Sequence, residues 1–148
     1  MAQATTSTFG KFMVLVGDGA TPEVFTAICG LTSKGLDISA DVQTTEVPDC
    51  SNEDAVSWQE QDVKSVGASI SGSGVYAMEA HKMLMDWALS GAQKNVKVMW
   101  GNAEVGDPSY IQGPCVLSKL GQSVPKGQRL TADITLNFAL KPAVTAKA

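Results

Sequence analysis

Residues 128–140, QRLTADITLNFAL, constrain the fold more than any other stretch of this 148-residue chain. Ala132, Ile134, Leu136, Phe138 and Leu140 alternate there with Thr131, Asp133, Thr135 and Asn137. An extended strand sends successive side chains to opposite faces, so this order makes one oily face and one wet face. β-Branched and aromatic side chains suit such a half-buried pleated surface. The strand therefore needs partners along its edges and a core beneath its apolar face. What lies against the polar face is the functional question.

The same alternation recurs upstream. Leu36, Ile38, Ala40 and Val42 interleave with Asp37, Ser39, Asp41 and Gln43. Val66, Ala68 and Ile70 interleave with Lys64, Ser65, Gly67, Ser69 and Ser71. Residues 9–16 form a strand candidate with apolar residues on both faces. The turn chemistry of Gly17-Asp18-Gly19 and Thr21-Pro22 leads to a second strand over 23–29. Gly72-Ser73-Gly74 reads as a stop, with Ser73 as N-cap of a helix over 75–89. Tyr76, Ala80, Met83, Leu84, Trp87 and Ala88 share one face of that helix, and Ser90-Gly91 ends it. Short strands follow over 95–100 and 110–120, the latter bending at Gly113-Pro114. The order predicts a mainly β fold, an antiparallel β-sandwich or barrel with one packed α-helix.

Residues 1–8 read as a small, polar N-terminal arm, 9–140 as one β domain, and 141–148 as a polar C-terminal tail. Within the domain, 44–62 reads as a long polar loop, and loops of that length are functional or disordered. Val56 and Trp58 inside it read equally well as docking anchors or as a local tuck.

Charge is unevenly spread. Residues 35–63 contain no Lys or Arg but eight carboxylates, against a net charge of −4 for the whole chain. The acidic block suits complementary self-contacts, and the acidic balance argues against ordinary nucleic-acid binding. The candidate positive counterparts are Lys94, Lys97, Lys119, Lys126 and Arg129. Cys29, Cys50 and Cys115 are odd in number and widely spaced, which points to free thiols and no zinc site. There is no apolar run long enough to span a membrane and no secretory leader pattern, so the expectation is cytoplasmic synthesis and no membrane partner.

Catalytic signals are weak. His81 is the only histidine, and any histidine-based triad has to use it. The acidic segment from Asp49 to Asp54 lacks the glycine and terminal glutamate of a calcium loop. Neither Gly17-Asp18-Gly19 nor Gly72-Ser73-Gly74 continues as a phosphate-binding loop. Met78, Met83 and Met85 suit packing or an interface. The reading is a non-enzymatic binding or structural protein with no cofactor and no metal.

The order of arm, first hairpin (9–29), strand (36–43), long loop (44–62), strand (63–71), single helix (75–89) and long final strand (129–140) resembles the major tail tube protein of long, non-contractile phage tails and of related gene transfer agents. The stretch GLTSKGLDISADVQTTEVPDCSNEDAVSW carries most of the likeness. The resemblance implies homohexameric rings whose strands join into one shared β-barrel, stacked into a tube. It implies a tape measure protein and then passing DNA in the lumen, without specific DNA binding. It also implies tail terminator and distal tail protein partners, and a place in the tail of a virion or phage-like particle assembled in the bacterial cytoplasm. On this reading Asp37, Ser39, Asp41, Asp133, Thr135 and Asn137 are lumen-facing candidates. Glu46, Asp49, Glu53, Asp54, Val56, Trp58, Glu60 and Asp62 are inter-ring loop candidates. The alternatives are the inner tube of a contractile tail or secretion system of the same fold, and a monomeric β-barrel binding a small apolar ligand.

Overall fold

The computed structural model describes residues 3–148. Its strands are β1 (Phe12–Gly17), β2 (Phe25–Ala27), β3 (Leu31–Val47), β4 (Trp58–Val75), β5 (Gln93–Trp100), β6 (Pro108–Ser123), β7 (Thr131–Phe138) and β8 (Ala143–Ala146). The α-helix, α1 (His81–Ser90), lies between β4 and β5. All pairings are antiparallel, in the order β2-β1-β5-β6-β7-β4-β3, with β8 also against β6. This is the mainly β architecture with one packed helix that the alternation predicts.

Strand β6 belongs to two layers. Its first half pairs with β5 up to Val116, and its second half pairs with β7 from Cys115 to Ser123. The register shifts between Leu117 and Lys119, which leaves Ser118 as an extra residue. Such a bulge bends a strand and lets it pass from one layer to the next. Gly113 and Pro114, where the sequence suggests a bend, sit inside the β5–β6 ladder.

The core fills the space between the layers. Val14 and Val16 of β1 and Val96 and Val98 of β5 meet Ile70 of β4, Ile134 and Leu136 of β7, and Trp87 of α1. These are the apolar positions of the alternating strands, and their burial is the main driving force for the fold. Trp87 is only 1% exposed. Its indole Nε1 donates to the Ala92 carbonyl at 2.7 Å, and its own carbonyl accepts from Gly91 N at 3.3 Å. Gly91 takes the left-handed conformation (φ 67°) that ends a helix cheaply only without a Cβ.

Several boundaries differ from the sequence expectation. First, β4 runs through Gly72-Ser73-Gly74 to Val75, and α1 begins at His81 after a 3-10 turn, Met78–Ala80. Ser73 is therefore a strand residue between Ser33 and Asp133, not a cap. Gly74 is bare because a Cβ there would run into the backbone of Gly30, Leu31 and Thr32. Glycine marks close backbone approach here, not a turn.

Second, the long loop is much shorter than 44–62. β3 and β4 stay paired out to Val47↔Trp58, so the connection is residues 48–57. β7 ends its pairing with β4 at Ser69, and beyond that point the β3–β4 hairpin projects as an arm. Outer residues of an arm with neither face buried lose the oily/wet alternation that signals a strand. Glu46, Trp58, Glu60 and Asp62 are consequently strand residues, while Asp49, Glu53, Asp54 and Val56 are in the connection.

Third, the tail is not free. Ala143 to Ala146 form β8 against Pro108 to Gln112, on the β6 edge that β7 leaves open. Lys147 N donates to the Asp107 carbonyl at 2.9 Å. Met1 and Ala2 of the expected arm lie outside the described residues. Residues 3–8 are exposed and without regular structure, and Asn102 Nδ2 donates to the Thr6 carbonyl at 3.1 Å.

The cysteines divide cleanly. Cys29 and Cys50 are exposed and Cys115 is buried, with its thiol pushed up to about 12 by burial. The thiolate is the reactive species. In the native monomer at pH 8, iodoacetamide is expected to label Cys29 and Cys50 and to leave Cys115 intact until denaturant is added; intact mass reads the outcome.

Candidate assembly surfaces

Directly opposed residues in a ladder share a face of the sheet. Across β3, β4 and β7, Asp37, Ser69 and Asn137 are in line. The next line is Gly35, Ser71 and Thr135, continued by Lys119 on β6. The next is Ser33, Ser73, Asp133 and Gly121. On the arm, Ser39 opposes Gly67 and Asp41 opposes Ser65. All six lumen candidates thus share one face, and all but the half-buried Thr135 are exposed.

That face is richer than the sequence reading proposed. Ser33, Ser69, Ser71, Ser73 and Ser123 add hydroxyls to it, and Lys119 adds a cation. The period-two series Ser65, Gly67, Ser69, Ser71, Ser73 was the available signal, masked by taking Gly72-Ser73-Gly74 as a stop. Lys119 was expected among the counter-charges at one end of the subunit; its place beside Thr135 puts it on the polar face instead.

The opposite face of the arm is apolar. Leu36, Ile38, Ala40 and Val42 oppose Ile70, Ala68, Val66 and Val63. Leu36 and Ile70 join the core, but Ile38 and Val66 are 66% and 67% exposed. The stripe continues the core face past the end of its own cover.

The two ends of the sheet carry different charge. The connection at residues 48–57 holds Asp49, Glu53 and Asp54, with Val56 and Trp58 92% and 84% exposed. The β6–β7 turn, residues 124–130, holds Lys126 and Arg129 and lies at the other end, because Thr131 pairs with both Val75 and Ser123. Lys97 lies elsewhere, its ammonium 4.5 Å from the ring centres of Phe25 and Tyr110, and Lys94 of β5 opposes Cys115 of β6. Among the described residues the one ion pair is Lys82–Asp86, at 2.8 Å on the surface of α1. The acidic arm carries one cation of its own, Lys64, against its carboxylates, and among the described residues Lys64 makes no ion pair.

Two open strand edges flank the β6-β7-β4-β3 block. β3 has no neighbour on its outer side along residues 31–47. β5 leaves β6 at Val116, so residues 117–123 of β6 have no strand neighbour on that side. Open edges with free backbone donors and acceptors are templates for pairing with another chain. His81, the first residue of α1, is used internally: its Nδ1 lies 2.7 Å from the buried Tyr76 hydroxyl, and burial raises the phenol.

A sheet with two open edges, a bare apolar arm and unbalanced charge at one end has the form of an assembly subunit. The family model of phage tail tube proteins matches residues 6–144, and the chain belongs to that family. No curated protein matches the sequence. Solved structures resemble it in fold. The tail of an empty gene transfer agent particle, refined helically with C6 symmetry, gives a TM-score of 0.72 at 18% identity, covering 95% of this chain and 100% of that chain. The SPP1 tail tube gives 0.67 at 13% identity, covering 96% and 80%. The sheath–tube complex of an extracellular contractile injection system in its extended state gives 0.60 at 17% identity, covering 96% and 93%.

Proposed function

We propose that copies of this chain close side by side into rings, and that stacked rings form the tube of a phage or phage-like tail. The observation that carries this is the four-strand block β6-β7-β4-β3, open at both edges, with one continuous polar face. An even number of antiparallel strands leaves β3 and β6 running in opposite directions. The β3 edge of one copy therefore meets residues 117–123 of β6 in the next as an antiparallel pair. Repeating that step curls the blocks into one barrel and removes every open edge in the block. The C6 symmetry of the similar gene transfer agent tail supports six copies per ring.

The polar face then lines the channel. Hydroxyls with Asp37, Asp41 and Asp133, which outnumber Lys119, present an on-balance acidic wall that repels phosphate, the reverse of a nucleic-acid groove. Such a wall lets DNA slide during ejection and holds a tape measure protein before it. Tail terminator and distal tail proteins would cap the two ends, and assembly would take place in the cytoplasm of the bacterial host. Against the monomeric ligand-binding barrel, the cavity inside the domain, lined by Ile28, Tyr76, Leu84 and Ile134, measures about 10 Å³, too small for a ligand, and the larger hollows are open surface grooves.

Stacking uses the ends. The acidic connection of one ring faces Lys126 and Arg129 of the next, with Val56 and Trp58 as apolar anchors. Replacing Asp49, Glu53 and Asp54 by Asn, Gln and Asn is expected to give shorter tubes while leaving rings intact. Raising salt should shorten wild-type tubes in the same way, because exposed charge pairs are screened over about 10 Å at 0.1 M. Tube lengths in negative stain measure both. The broader test is microscopy of the purified protein: rings of six or tubes support the proposal, and a monodisperse monomer at every concentration and salt refutes it.

A further inference from the structure

Two uncovered apolar surfaces adjoin the open edges of β3 and β6. One is the stripe on the arm, Ile38, Val42, Val63 and Val66. The other is a groove of about 360 Å³ between Met85, Ala88 and Leu89 of α1 and Leu117 and Leu120 of β6. Leu89 is 80% exposed at its rim. The groove runs beside residues 117–123, the stretch of β6 that β5 leaves unpaired.

These surfaces become neighbours if the β3 and β6 edges pair. A continuous sheet has one inner and one outer face, and in both copies the outer face is the one that carries the core and α1. Within one copy Lys119 is level with Gly35, and closing a barrel staggers the strand register, so a β3–β6 pairing staggered along the arm carries Ile38, Ala40 and Val42 to the foot of the neighbour's groove, below its helix. We infer that α1 is an inter-subunit clamp: Met85, Ala88 and Leu89 of one copy close over the Ile38–Val66 stripe of the next. The helix thus has two jobs on two faces. Trp87 and Leu84 fasten it to its own core, and the Met85–Leu89 side covers a second copy of the chain. Methionine suits the groove because its flexible thioether adapts to a partner surface. The backbone edge alone fixes direction but is indifferent to side chains; the clamp adds apolar burial and fixes the register.

This inference rests on the ring reading, and the test separates the two. Ile38→Cys and Leu89→Cys are combined with Cys29→Ser and Cys50→Ser, tubes are assembled under reducing conditions, confirmed by microscopy and then oxidised. A second pair, Val66→Cys with Met85→Cys, samples the adjoining contact. The expected result is a ladder of covalent oligomers up to six on denaturing gels from at least one pair. Tubes that give no cross-link from either pair overturn the clamp and leave the ring reading standing. A parent protein that forms neither rings nor tubes overturns both. Leu89→Glu is the complementary variant: its monomer should melt like the parent, and ring formation should need at least ~10-fold more protein, about 1.4 kcal/mol. Unchanged ring formation by Leu89→Glu overturns the clamp as well.

Discussion

Tubes built from a chain carrying Asp37→Lys, Asp41→Lys and Asp133→Lys are expected to assemble to normal length and fail to deliver DNA. All three residues are exposed on one face of the sheet, and none makes an ion pair within the chain. The monomer therefore loses no contact on substitution, and its melting temperature should stay close to that of the parent. In the tube, each ring would instead present lysines at every copy, and a moving duplex would meet them at each ring in turn. Each lysine that finds a phosphate releases condensed counterions, so a sliding surface becomes a binding one, and DNA delivery should fall by at least ~100-fold. Raising salt during ejection should restore part of it, since phosphate contacts weaken steeply with salt. Asp→Asn at the same positions adds no cation to the face and should deliver DNA almost normally. Transduction or infection per assembled particle is the readout; normal delivery by the lysine variant removes the channel assignment.

The largest effect on the subunit itself should come from Trp87→Ala. The side chain is 1% exposed, packs in the core shared by both layers, and ties the helix end to Ala92 through a 2.7 Å hydrogen bond. Truncating a buried aromatic leaves a cavity and costs ~3–5 kcal/mol, a large part of the 5–15 kcal/mol that holds an ordinary domain together. For a chain of this size the melting temperature should drop by about 10 °C or more. Trp87→Phe keeps most of the packing but leaves the Ala92 carbonyl without its donor, and should cost ~1 kcal/mol. Thermal melts followed by circular dichroism distinguish the two. Helix α1 also carries the proposed clamp, so Trp87→Ala should impair assembly through the fold, whereas Leu89→Glu impairs it without touching stability.

The sequence disclosed its fold where one face is buried and the other wet. Residues 131–138 carry that contrast without interruption, and so do 36–42 and 66–70, so those strands and the six polar candidates on them were legible. The outer arm was not. Between Thr44 and Asp62 both faces of the hairpin are exposed in the free subunit, and side chains there follow no single-chain alternation. Gly72-Ser73-Gly74 misled for a different reason. Glycine signals both turns and tight backbone contact, and only the proximity of Gly30 to Gly74 tells which. β8 was hidden because Ala143-Val144-Thr145 is too short to show a period, and its partner, Pro108 to Gln112 on β6, is distant in the chain. The grouping of Ser33, Ser73 and Asp133 depends on register, which links residues 100 positions apart and leaves no local trace.

The central claim is that β3 of one copy pairs with residues 117–123 of β6 in the next and turns the Asp37–Asp133 face inward. Cryo-electron microscopy of tubes assembled from the purified protein, with helical reconstruction at side-chain resolution, tests it directly. The account predicts a continuous antiparallel barrel of four strands per subunit, with Asp37, Ser71, Asp133 and Thr135 on the channel wall and α1 outside. A wall lined by Met13, Leu15 and Tyr110, or subunits joined through the β2 edge with β3 left open, would contradict it.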